Sequence, residues 1–146
     1  MKYTTELELN VSRSKVVELF NNPDNMPKWQ PGLVSFQHLS GEQGKEGAQS
    51  KLVYKMRKRE VEMIETITKN ALPNEFSGTY EAKGVYNIIE NKFIEIGENK
   101  TKWISKNEFQ FSGFMKFMSL FMQGAFPKQT LKIMNKFKEF AESTSQ

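Results

Sequence analysis

At 146 residues, with 38% hydrophobic and 26% charged positions, the chain has the size and balance of one globular domain with a buried core. It contains no cysteine, which excludes disulfides, thiolate catalysis and cysteine-ligated metals and suits a reducing cytoplasm. The net charge of +4 permits loose attraction to anions but lacks the strong basic footprint of a nucleic-acid-binding domain.

The opening MKYTTELELN holds no apolar run of signal-peptide length, and no stretch approaches the roughly 18–20 apolar residues of a spanning helix. The expectation is a cytoplasmic protein without stable membrane insertion. Within this opening, Tyr3, Thr5, Leu7, Leu9 and Val11 alternate with Lys2, Thr4, Glu6, Glu8 and Asn10. That period of two is the mark of a half-buried strand. Ser12 offers a helix cap, and Val16, Val17, Leu19 and Phe20 form a short apolar face that Asn22-Pro23 ends. PDNMPKWQPG has three prolines in its first nine residues, room for little more than one helical turn around Trp29.

LVSFQHLSG predicts a strand, and GEQGKEG, with three glycines in seven residues, a loop or hairpin. AQSKLVYKM places Ala48, Ser50, Leu52, Tyr54 and Met56 on one face, RKRE reads as a turn, and VEMIETITKN as the next strand. LPN marks a further turn before EFSGTYEA, GVYNIIENKFIEIG and KTKWISKNEFQFS. The last of these puts Thr101, Trp103, Ser105, Asn107, Phe109 and Phe111 on one side. The remainder reads as helix. Nine of the thirteen residues from Phe114 to Phe126 are apolar, with Lys116, Ser119 and Gln123 as a narrow polar stripe. Gly124 and Pro127 are expected to interrupt it. Beyond them Leu131, Met134, Phe137, Phe140 and Ala141 recur at helical spacing. No repeat or linker divides the chain, so residues 1–146 are expected to form a single domain.

This order of elements resembles the START/Bet v 1-like superfamily, the polyketide cyclase/dehydrase and lipid-transport group. The resemblance is carried by the strand ending at Val11, the helix from Ser12 to Phe20 and Trp-x-Pro-Gly at Trp29 to Gly32. It continues through the LSGEQGKEGAQSKL glycine loop to the terminal GFMKFM…FPKQTLKIMNKFKEFAE, and so covers essentially the whole chain. It implies an α+β helix-grip fold: a curved seven-stranded antiparallel sheet wrapped around a long C-terminal helix, with one or two short helices after the first strand. It also implies a hydrophobic cavity between sheet and helix for lipids, polyketides or other apolar small molecules. The glycine loop is structural by the same resemblance. The residues agree, since GEQGKEG is not followed by Lys-Ser/Thr and opens no helix, which excludes a P-loop.

Glu65 is the most informative position. It shares the strand face of Val61, Met63 and Ile67, so it either enters the cavity as a ligand anchor or acid/base, or a bulge turns it to solvent and packs Ile64 instead. Trp29, Tyr54, Tyr80 and Trp103 are large side chains with a polar tip, suited to core or cavity wall, and Leu52, Met63 and Ser105 share the inward faces. Phe114, Met118, Phe121 and Met122 are expected to flank the cavity, or else to fill core. His38, the only histidine, is expected at the surface, and the basic run at Lys55, Arg57, Lys58 and Arg59 as a charged hairpin tip. The carboxylates show no ligand spacing, so neither a metal nor another cofactor is implied. The expected protein is a binder or carrier of an apolar small molecule, monomeric or weakly dimeric. The alternatives are a cyclase-, hydratase- or isomerase-type enzyme using Glu65, or a protein- or membrane-interaction module.

Overall fold

A computed structural model describes residues 1–144. Its strands are β1 (Lys2–Leu9), β2 (Leu33–Ser40), β3 (Gln49–Met56), β4 (Arg59–Ala71), β5 (Glu75–Ala82), β6 (Val85–Gly97) and β7 (Lys100–Phe111). They form one antiparallel sheet in the order β1-β7-β6-β5-β4-β3-β2. The helices are α1 (Arg13–Phe20), a 3-10 turn at Pro23–Asn25, α2 (Met26–Trp29), α3 (Phe114–Met122) and α4 (Ala125–Thr144).

Local chemistry accounts for most of the boundaries. In β1 the odd-numbered residues Tyr3 to Leu9 are the more buried, as the alternation demands. Ser12 caps α1 by accepting a hydrogen bond from the Lys15 backbone N–H at 3.3 Å, and Val16 and Leu19 bury the helix's apolar side. The glycine loop is structural, as expected: Gly41 has φ +76°, and a Cβ there would approach Ala48 Cα to 2.9 Å. His38 is exposed and donates from Nε2 to the Gly41 carbonyl at 2.8 Å, which ties it to that loop.

The core lies at one end of the grip. Leu9, Val16, Phe93, Trp103, Met134, Phe137 and Ala141 meet there, all at most 3% exposed. The Phe20 ring packs against Trp29, Phe76, Phe93, Trp103 and Phe137, with centroids 5.1–6.1 Å away, so α1 and α2 plug this end with aromatic side chains. Toward the other end the same concave face is only half-covered: Tyr54, Val61, Met63, Tyr80, Phe109 and Phe111 are all partly exposed.

Three helical expectations need correction. Pro127 does not interrupt a helix. It sits in the first turn of α4, where its missing N–H would have no partner anyway, and the break falls at Gln123-Gly124. In α3 the supposed outer stripe is partly inverted: Ser119 is buried and bonds the Lys116 carbonyl at 2.8 Å. Phe114, Phe117, Leu120 and Phe121 face solvent at 57–72% exposure. Leu131, expected on the inner side of α4, is also exposed, whereas Met134, Phe137 and Ala141 are buried.

Candidate functional site

The strand registers assemble a row of side chains across the concave face. Reading from β2 to β7, His38 pairs with Ser50, Ser50 with Glu65, Glu65 with Tyr80, Tyr80 with Asn87, and Asn87 with Phe109. Directly paired residues share a face, so this row is set by backbone pairing alone. The bulge in β4 falls between Ile67 and Lys69, after Glu65, and leaves the alternation from Val61 through Ile67 intact. Glu65 therefore points inward with Val61, Met63 and Ile67, and is 8% exposed. The solvent-facing alternative does not occur.

Tyr80 donates its hydroxyl to Glu65 Oε2 at 2.7 Å. The other carboxylate oxygen, Oε1, takes no hydrogen bond among the described residues. Burial raises the pKa of Glu65 above the ordinary carboxylate value, and the Tyr80 hydrogen bond offsets part of the rise. Burial also drives Tyr80 well above the ordinary phenol value, and the charge of Glu65 adds to it. Tyr54 is shifted upward by the same two causes in the same order. Both phenols thus stay protonated and can donate. Tyr54 spends its hydroxyl on Gln30 Oε1, just after α2, which fastens β3 to the α1–α2 plug.

Beside this pair runs a second polar group on β6 and β7. Asn87 Nδ2 donates to Asn107 Oδ1 at 3.3 Å and to the Glu108 carbonyl at 3.1 Å. Asn107 Nδ2 donates to Ser105 Oγ at 3.1 Å, and the Trp103 indole N–H to Asn91 Oδ1 at 2.9 Å. Asn87, Asn91, Ser105 and Asn107 are all buried, so this is an internal polar seam along an otherwise apolar wall.

The structure thus brings Tyr54, Met63, Glu65, Tyr80 and Ser105 onto one half-covered concave surface. Trp29, Leu52 and Trp103 lie in the closed core, at 5%, 0% and 3% exposure. Phe114, Phe121 and Met122 stand at the outside of α3, and Met118 is half-buried. Sequence reasoning missed Gln30, Asn87 and Asn91. The two asparagines were readable, because Asn87, Asn91 and Phe93 share one phase of β6. Among the described residues no group of three His, Asp or Glu side chains converges on a point that would hold a metal ion.

No protein-family model and no curated protein matches the sequence. Solved structures do match. The Zhui aromatase/cyclase from Streptomyces sp. R1128 superposes with a TM-score of 0.83 at 10% identity, covering 100% of this chain and 96% of that one. The chain has the START/Bet v 1-like helix-grip fold. A START superfamily protein from Mycobacterium smegmatis matches it with a TM-score of 0.75 at 11% identity, over 98% of both chains. Norcoclaurine synthase from Thalictrum flavum, solved with dopamine and hydroxybenzaldehyde, gives 0.73 at 14% identity over 98% of this chain and 87% of that one. Identities this low establish the fold and leave activity to the site.

Proposed function

We propose that the protein binds an apolar small molecule against the half-covered concave face, with its polar group anchored at Glu65 and Tyr80. The observation that carries this reading is a buried carboxylate whose one donor among the described residues is Tyr80, on an apolar wall of Val61, Met63 and Tyr54. Apolar surroundings with a few convergent polar groups are how such ligands are generally held. Glu65 Oε1 is the acceptor left for a hydroxyl or amine donor of the ligand. Aromatic alcohols, polyketide-like phenols and hydroxylated lipids fit that description, and Thalictrum norcoclaurine synthase, of the same fold, was solved with dopamine and hydroxybenzaldehyde.

Titration with 2-naphthol, an apolar phenol, tests the proposal. Saturable binding to the wild type, weakened about tenfold in Glu65→Leu by loss of one hydrogen bond to a charged or polar acceptor, is the expected result. Absence of saturable uptake of both 2-naphthol and a fluorescent fatty acid would overturn it.

A second reading is supported by the same pair. A carboxyl with a raised pKa, hydrogen-bonded to a protonated phenol, is a proton-transfer couple of the kind a cyclase, hydratase or isomerase uses. Under that reading Glu65→Gln keeps ligand affinity and abolishes turnover. Under the carrier reading there is no turnover to lose.

A further inference from the structure

Two sequence features remain outside the concave face: the Phe/Met segment and the basic run around Arg57. The topology places them at the same end of the molecule. Val85 pairs with Phe111, so the β5–β6 turn at Lys83-Gly84 lies beside the entry to α3. The Ser112 N–H bonds the Gly84 carbonyl at 3.0 Å. A Cβ at Gly84 would come within 2.9 Å of Met115 Cγ, so α3 is seated directly on that turn. The β3–β4 turn at Arg57-Lys58 closes a hairpin at this same end, two strand spacings (about 10 Å) across the sheet and projecting about 13 Å further along the strands, since β4 runs past its last pair with β5, Ile64 with Glu81. β1 begins here too, with the Met1 ammonium donating to the Phe109 carbonyl at 3.0 Å.

We infer that this end is a docking face for an anionic lipid surface, with α3 lying in the interface and the two basic turns contacting headgroups. The outward stripe of α3 is Phe114, Phe117, Leu120 and Phe121, exposed by 72%, 57%, 67% and 72%. A helix that turns four large apolar side chains to water while burying a serine is packed for a second apolar phase. Charge selects the kind of phase. Between Glu108 and Glu139 the chain carries no acidic residue, and of its lysines Lys116 on α3 and Lys128 in the first turn of α4 lie at this end. Arg57, Lys58, Arg59, Lys83 and Lys116 outnumber the nearby acids Glu60, Glu62 and Glu81, and none of these five cations forms a salt bridge among the described residues. Unpaired cations flanking an aromatic stripe complement a negatively charged bilayer surface. A second copy of the chain fits less well. A nine-residue helix is only about 13 Å long, and its face falls short of the roughly 800 Å² per partner of a stable interface. The contact would be peripheral, since no helix among the described residues is long and apolar enough to cross a membrane. This inference does not depend on what the concave face holds, because vesicle binding is measured without a ligand.

Vesicle co-sedimentation tests it, with phosphatidylcholine alone and with about one third phosphatidylglycerol added. The wild type is expected to bind the anionic vesicles, to bind neutral ones at least about tenfold more weakly, and to be released by salt. Phe114→Ser/Phe117→Ser/Phe121→Ser and Arg57→Gln/Lys58→Gln/Lys83→Gln should each lower the affinity by about tenfold or more. All of these positions lie on exposed or turn residues, and circular dichroism establishes that the variants fold. In a Phe117→Trp variant, an emission blue shift on adding anionic vesicles supports insertion of α3. Three results overturn the inference: equal or absent binding to both vesicle types, no further emission shift in the Phe117→Trp variant because its indole is already shielded in buffer, or a concentration-dependent dimer that the serine variant abolishes.

Discussion

Tyr80 and Glu65 face each other across β5 and β4, joined by a 2.7 Å hydrogen bond from phenol to carboxylate on the concave side of the sheet. The backbone register alone brings them together. The bond has consequences for stability because a carboxylate in that position is removed from water, and Tyr80 supplies the protein's compensation.

The first consequence concerns pH. Glu65 has a folded-state pKa above its ordinary value of 4.5, so across the window between the two the folded chain holds more protons than the unfolded one. Its contribution to stability is therefore fully present below the ordinary value and is lost as pH rises through the raised one. Glu65→Gln keeps an acceptor for Tyr80 and cannot titrate. Denaturation of wild type and variant across pH 4 to 8 (a range spanning about 4 units) should show the wild type losing stability relative to Glu65→Gln as pH rises.

Removing the donor should push the carboxyl further. Because the Tyr80 hydrogen bond lowers the pKa of Glu65, Tyr80→Phe is expected to raise it, as followed by carboxyl carbon NMR of Glu65. The same variant should cost about 1–3 kcal/mol of stability at neutral pH, the usual effect of leaving a buried acceptor unsatisfied. An unchanged Glu65 titration would show that the bond is not populated.

The closed end of the grip should respond as core. Phe137 is fully buried and packs against Trp29, Trp103 and Phe140. Phe137→Ala is expected to cost about 3–5 kcal/mol in chemical denaturation.

The outer face of α3 should not. Phe114→Ser and Phe121→Ser replace side chains that are each 72% exposed, and the expected stability change stays within about 0.5 kcal/mol. A loss near that of Phe137→Ala would mean that these rings pack inside the folded chain.

The contrast between Phe137 and Phe121 also marks how far the sequence could be read. Strand alternation located β1, β3, β4 and β7, turn residues bracketed β2, β5 and β6, and Ser12 announced its own capping role, because these signals are local in the chain. The inward direction of Glu65 followed from Val61, Met63 and Ile67, but only if no bulge intervened, and bulges leave no reliable trace in composition. Asn87 and Asn91 were hidden by the isoleucines between them, although the phase set by Phe93 marks them as internal. The orientation of α3 was not legible. Its segment is apolar on nearly every side, so periodicity could not say which side meets the sheet, and the decisive contact is with Gly84, which lies in a turn 31 positions before Met115.

The central claim is that the half-covered concave face carries a small apolar molecule anchored at Glu65 and Tyr80. Native mass spectrometry of the protein purified from its own host tests this most directly. The expected spectrum contains the chain with one bound small molecule, released on denaturation and present at lower occupancy in Glu65→Leu. A spectrum of the bare chain alone, unchanged after incubation with 2-naphthol, would contradict it.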